Sequence, residues 1–389
     1  MSQPTWFLAT LYVTPVILVC YYLLGRFSPS RAAIGVLPEM KISEIYVYPI
    51  KSLRAIKLAS AIATPHGFAH DRTFMLLEKT PTGYKNMAVA SYPQMTQFLQ
   101  EISPSPSSTS NALSNSSSSS TDSTLTIHYL AHGNHAKQSS LTIPLNPPTT
   151  SLPTLEISLH GSPTTAYRTP DAYNTWFTSC FGFPVELVHL GSNRRSPRFS
   201  NLPFSSSSSP PSSSTPQTSQ SLTFTDCAPY LFTSSASLAS VSSRIASEMD
   251  VTKFRPNVLL EGAKDAWSED FWSRIRIQSD EAQAEVALVH NCVRCKSINV
   301  DYETGRPATG VKGEVLKRLQ ADRRVDQGAR WSPVFGRYGF WVGGKDKEEV
   351  VWRVGDKVRV TGVNRERTVW SKSCSIIFQS SKCVVVSVY

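Results

Sequence analysis

The chain has 389 residues, enough to bury a large core and to hold two domains. Charged residues make up only 17%, diluted by serine-rich tracts, yet the formal balance is +10. Such a charge suits an anionic ligand, an anionic membrane surface or nucleic acid; with no homeodomain, finger or aromatic-interleaved basic stretch, nucleic acid is excluded as a partner. Seven scattered cysteines exclude a secreted disulfide framework and indicate a chain facing a reducing compartment.

Residues 5–24, TWFLATLYVTPVILVCYYLL, carry no charge and are long enough to cross a bilayer as a helix. Pro15 would kink that helix, which membrane spans tolerate, and Trp6, Tyr21 and Tyr22 sit where aromatic rings favour the interface. A cleaved signal peptide is the competing reading, but no basic region precedes the run and no small-x-small site follows before Arg26. A retained anchor over 1–27 is therefore expected. Arg26, Arg31 and Lys41 follow it and no Lys or Arg precedes it, which places the body in the cytosol.

Beyond the anchor, 42–48 and 72–78 read as strands, 91–102 as a short helix, and 123–130 as a further strand. The tract 103–123, SPSPSSTSNALSNSSSSSTDS, has almost nothing to bury and reads as a surface insertion in a hairpin. Residues 171–181 predict a helix with Asp171 as N-cap and Trp176, Phe177, Cys180 and Phe181 on one face. A second Ser/Pro-rich tract (205–221) precedes a helix around 236–249 and a strand over 253–262. Strand-and-turn material fills 267–278, 285–305 and 351–362, with a short helix at 311–320. Many short strands and few helices predict a mainly β chain with some α, of barrel architecture.

Cys292 and Cys295 form a lone Cys-x-x-Cys. One pair with His290 nearby does not close a tetrahedral zinc site, and a thioredoxin-like pair belongs at a helix start rather than in strand-like sequence. Two readings stay open: a pair of half-buried strand cysteines, or one thiolate serving as the sole protein ligand of a metal that arrives in its own chelate.

Six stretches then occur in a telling order: YVYPIKSL (46–53), HDRTFML (70–76), FTDCAPYLFTSSASL (224–238), FRPNVLLEG (254–262), NCVRCKSINVDYETG (291–305) and PVFGRYGFWV (333–342). Together they resemble the MOSC family with its N-terminal β-barrel partner domain, and within it the molybdenum-cofactor branch that reduces amidoximes. The resemblance implies a MOSC-type β-barrel core plus an N-terminal β-barrel-like domain, preceded by a single transmembrane helix. Its domains would be 41–190 (N-terminal barrel, with the 103–123 insertion), 191–222 (linker), 223–362 (MOSC) and a C-terminal tail, 363–389, of no assigned structure.

By the same resemblance, Cys295 binds the metal of the molybdenum cofactor (Mo-molybdopterin). Contact with that cofactor is implied for Lys51, Ser52, Arg72, Arg255, Asn257, Val293, Arg294 and Tyr338, with Arg294 also placed to stabilise developing charge. Relatives often carry DTSP where this chain has Asp226-Cys227-Ala228-Pro229. Two hydroxyls are missing there, and the backbone amides of Cys227 and Ala228 are left to serve. Arg, Lys and Asn suit phosphate oxygens and a pterin edge. Each also has an ordinary alternative: Lys51 and Arg72 as solvated charges beside strands, Asn257 as a turn former, Tyr338 as a core aromatic.

The implied activity is reduction of N-hydroxylated small molecules. Electrons would come from NADH through cytochrome b5 reductase and cytochrome b5, at the mitochondrial outer membrane or else the endoplasmic reticulum. The alternatives are a carrier of sulfurated molybdenum cofactor, and a membrane-tethered interaction module with no cofactor.

Overall fold

Met40–Val47 shows why these segments become strands. Met40 and Ile42 are buried and Lys41 between them is exposed, the period of two that a pleated backbone imposes. Trp272–Gln278 repeats it, with Ile275 and Ile277 inward and Arg274 and Arg276 outward. The computed structural model describes residues 39–104, 123–131, 138–198, 220–280, 282–344 and 349–370. The expected anchor at 5–24, most of both serine tracts and the tail from 371 onward lie outside them. Among the described residues, no helix is long and apolar enough to cross a membrane.

The larger sheet runs Val258–Glu261, Tyr230–Ser234, Val334–Gly344, Gln283–Val293, Trp272–Gln278, Lys357–Val363, Met40–Val47 and Ile56–Leu58. Val258–Glu261 also pairs with Met40–Val47, so the sheet closes into a barrel around Ile42, Val258, Ile275, Val286, Trp341 and Trp352. One pair is parallel, Tyr230–Ser234 with Val258–Glu261, and helix Ser235–Ile245 makes the crossover such a pair requires. Ser234 caps that helix, its Oγ accepting the Ser237 amide at 3.1 Å.

The N-terminal half adds a five-stranded antiparallel sheet (Thr154–Leu159, Ser162–Arg168, Val185–His189, Phe74–Thr80, Gly83–Asn86) and a three-stranded one (Phe98–Ser103, Thr124–Leu130, Gln138–Pro144). Helix Asp171–Phe181 seals their core: Phe177 and Phe181 lie 5.8 and 4.9 Å from the Phe98 ring. Trp176 and Cys180 border the same face, as the helical spacing predicts. The cap differs from expectation. Pro170 occupies the N-cap, and Asp171 is the first helical residue, an acid at the positive end of the helix dipole.

One other expectation is corrected. Residues 91–102 are not one helix but a 3-10 turn, Pro93–Gln97, followed by strand Phe98–Ser103. Its partner Thr124–Leu130 makes these the two arms of a hairpin that brackets the first serine tract. The stretch 351–362 divides between two sheets, Val350–Arg353 pairing with Ser60–Thr64 and Lys357–Val363 with the barrel. That cross-pairing, with Met40–Val47 inside the C-terminal barrel, knits the halves together and holds the loops at 49–54 and 69–73 against it.

Candidate active-site cleft

Gln283–Val293 ends at the cysteine pair. Cys292 is buried, its Sγ 3.1 Å from Tyr338 Oη on the neighbouring strand. Burial pushes the Cys292 thiol up, opposed by the Arg294 charge, so it remains protonated. Cys295 follows the strand, partly exposed, with Ser297 Oγ 3.3 Å from its Sγ. The pair is thus asymmetric: one thiol sunk and hydrogen-bonded, the other open to the cleft.

Arg294 between them is buried, and its guanidinium donates to backbone carbonyls: Nε to Phe335 O at 2.9 Å and Nη1 to Phe254 O at 2.6 Å. It ties the cysteine turn to two neighbouring segments. Gly336 makes room for it. A Cβ there would meet Phe232 O at 2.9 Å and Arg294 Nη2 at 3.3 Å, on a backbone with φ +78.

The facing wall is cationic. Ser52, Arg72 and Arg255 have φ of 72, 53 and 56, a left-handed region that side chains avoid at about 1–2 kcal/mol each. The Arg72 and Arg255 guanidinium carbons each lie 4.4 Å from the Tyr48 ring centroid. Buried Asp71 pairs with Arg72 and accepts from Tyr48 N at 2.8 Å and Asn257 Nδ2 at 3.1 Å. Burial alone would depress Arg72, but Asp71, Tyr48 and Asp226 together outweigh it and raise the guanidinium above its ordinary value. Burial lowers the Lys51 ammonium in spite of the opposing pull of Asp226. Lys51 Nζ donates to Phe224 O at 2.9 Å and pairs with Asp226, which also meets His160 Nε2 at 3.1 Å. Desolvation would raise Asp226, yet Lys51 and His160 hold its carboxyl well below the usual range.

The structure brings Lys51, Ser52, Arg72, Ala228, Arg255, Asn257, Cys292, Val293, Arg294, Cys295 and Tyr338 to one cleft. Cys227 is not in that lining; it is buried in an apolar cluster with Leu222, Leu231 and Cys292. Asn257 lines the cleft with its amide already engaged: Oδ1 accepts from Leu231 N and Arg72, and Nδ2 donates to Tyr46 O and Asp71. It props the cationic wall. Sequence reasoning missed Lys253 and the turn at 88–90, which also line the cleft, and treated Asp226 only as part of a motif. Lys253 stands one residue before the FRPN stretch, an available signal.

Among the described residues, no group of three or more His, Cys, Asp or Glu side chains is placed to hold a metal ion. The cleft offers instead one accessible sulfur, Cys295, and a wall that carries Lys51, Arg72, Lys253 and Arg255. Such a donor set fits a metal held in its own organic chelate with an anionic tail.

Residues 39–184 match the MOSC N-terminal beta barrel domain and residues 219–359 the MOSC domain. The chain belongs to the MOSC family, in the form that carries the N-terminal barrel. Its relatives include mitochondrial amidoxime-reducing component 1 of Homo sapiens, 25% identical over 76% of this chain and 77% of that protein. Mitochondrial amidoxime reducing component 2 of Macaca fascicularis is 36% identical over 30% of this chain and 33% of its own length. Molybdenum cofactor sulfurase of Oryza sativa subsp. japonica is 27% identical over 39% of this chain but only 18% of that longer protein.

Proposed function

We propose that the protein is a membrane-anchored, molybdenum-cofactor oxidoreductase that reduces N-hydroxylated compounds such as amidoximes. The carrying observation is the cleft itself: one accessible thiol, Cys295, facing a preorganised cationic wall of Lys51, Arg72 and Arg255. The names of the relatives support the reductive activity and the mitochondrial setting. Residues 1–27 would be the anchor, 41–190 and 223–362 the two domains, 191–222 the linker and 363–389 a tail. The outer mitochondrial membrane, with the body in the cytosol, is the proposed site. NADH, by way of cytochrome b5 reductase and cytochrome b5, would supply electrons, and the positive balance favours an acidic haem partner.

When bound, the pterin–molybdenum group supplies two-electron removal of an oxygen atom from the substrate. The chain's own groups do the rest. Cys295 would give the protein's single sulfur ligand, while Lys51, Ser52, Arg72 and Arg255 would clasp the cofactor's anionic portion, their charges kept by Asp71 and Asp226. Buried Cys292, its thiol donating to Tyr338 Oη, is engaged within the wall and would leave Cys295 as the sulfur for the metal. Arg294 lines the cleft with its guanidinium engaged by the Phe335 and Phe254 carbonyls, and so holds the cysteine turn in place.

The test is metal analysis of the full-length chain purified from a host that makes the pterin cofactor. About one molybdenum per chain, lost in Cys295→Ser, is expected, together with benzamidoxime reduction in a chain of NADH, cytochrome b5 reductase and cytochrome b5. Unchanged metal in Cys295→Ser refutes the ligand assignment. Metal without reduction favours the second reading, a carrier of sulfurated cofactor, which the likeness to the rice sulfurase supports. No metal at all leaves an interaction module.

A further inference from the structure

Residues 364–370 lie past both family matches, yet they are bound to the barrel beside the cysteine pair. Asn364 N donates to Phe271 O at 2.7 Å, and Arg367 Nε to Asp270 Oδ2 at 2.8 Å. Asp270 is 1% exposed and also takes both oxygens' worth of Arg323, at 2.8 Å each, so this segment is anchored on a buried carboxylate shared by two guanidiniums. Further along, Trp370 N donates to Asp326 Oδ1 at 3.1 Å, and its Nε1 to the Asn291 carbonyl at 2.9 Å.

Where the segment ends matters more than how it is held. Asn291 precedes Cys292, and its side-chain oxygen accepts from Arg337, the residue before Tyr338. Arg337 in turn donates to Thr368 Oγ1 at 3.1 Å. The Trp370 ring stacks on His290 at 5.3 Å and stands edge-on to Tyr338 at 6.1 Å. One seven-residue stretch therefore touches both neighbours of the Cys292–Tyr338 contact and one of its members. Gly328 gives a second, separate sign that the fit is built in: a Cβ at that position would lie 2.1 Å from the Trp370 carbonyl oxygen.

We propose that residues 364–370 form a latch, and that Trp370 is a positioning residue which, through its ring, holds Tyr338 and the Cys292 end of the strand in register with the cleft. A segment outside both family domains would then complete the site's geometry. The inference rests on the cofactor reading for what the thiols serve, but thiol protection needs no cofactor, so the two fail separately.

The experiment is timed iodoacetamide labelling of the full-length chain, made in a host lacking the pterin cofactor, with each cysteine followed by mass spectrometry. Cys180, partly exposed on helix Asp171–Phe181 far along the chain, serves as the internal standard. Trp370→Ala should speed Cys292 labelling about tenfold or more while Cys180 stays put, because only the local opening is cheaper. Gly328→Ala, which unseats Trp370 without altering it, should do the same. Trp370→Phe, which keeps a ring against His290 and Tyr338, should restore most of the protection. Unmoved Cys292 in both Ala variants overturns the proposal; so does Cys180 rising in step, which would mean general loosening.

Discussion

One wall of the cleft is made by Ser52, Arg72 and Arg255 in left-handed loop backbone, the other by Cys292 and Tyr338 on paired barrel strands, with Cys292 at the bulge between Asn291 and Val293. The contrast follows from what each wall must hold. A cation brought out of water needs a carboxylate and fixed carbonyls around it, and loops bent through unfavourable backbone angles bring those together. A thiol and a phenol need only apolar packing and one another, which two neighbouring barrel strands and the bulge at Cys292 provide.

The contrast breaks most sharply if a single charge is removed from the cationic wall. Arg72→Ala leaves Asp71 buried without its cation and should cost about 3–5 kcal/mol in urea unfolding; Asp71→Ala added to it should recover part of the loss. Acid offers a second handle, since each wall has a buried histidine behind it. His189 packs 4.4 Å from Phe74 behind the cationic wall, and His290 stacks on Trp370 behind the thiol wall. Burial lowers both to about 4, against about 6.5 in the unfolded chain. The unfolded chain therefore binds more protons between those values, so stability is full above pH 6.5 and falls as pH drops towards 4. The loss should approach about 3 kcal/mol per histidine. His189→Gln and His290→Gln should each flatten its own share of a urea-unfolding profile taken between pH 4 and 7.

Smaller effects are expected on the thiol wall. Tyr338→Phe removes one hydrogen bond to a buried thiol and should cost about 1 kcal/mol in the same measurement. Cys295→Ala, at a partly exposed position, should shift stability by no more than about 0.5 kcal/mol even as it abolishes molybdenum retention. A large stability loss there would show that the accessible thiol is a packing residue and would blur the distinction between the walls.

Much of this cleft was legible because its residues fall in short, spaced motifs whose chemistry is unusual for strand ends. Other parts were hidden for identifiable reasons. Phe98 and Ile102 are four apart, which suits a helix face as well as alternate positions of a strand. Gln100 between them is buried because it accepts from Ile50 N and donates to Arg54 O, so a polar residue masks the alternation. Cys227 was expected at the cofactor by its place in a motif, but neighbouring Ala228 faces the cleft while the thiol packs into the core. Residues 364–370 carry no periodic pattern; they are held by a buried carboxylate and carbonyls that are distant in the chain.

The hairpin Phe98–Ser103 and Thr124–Leu130 has a practical consequence. Ser103 is paired with Thr124, so the chain leaves and re-enters the fold through a fixed clasp at the tip of two arms. Lengthening what lies between costs only about 0.6 kcal/mol for each doubling. The fold therefore carries a docking port for inserted cargo, such as an affinity epitope or a fluorescent reporter, at little thermodynamic expense.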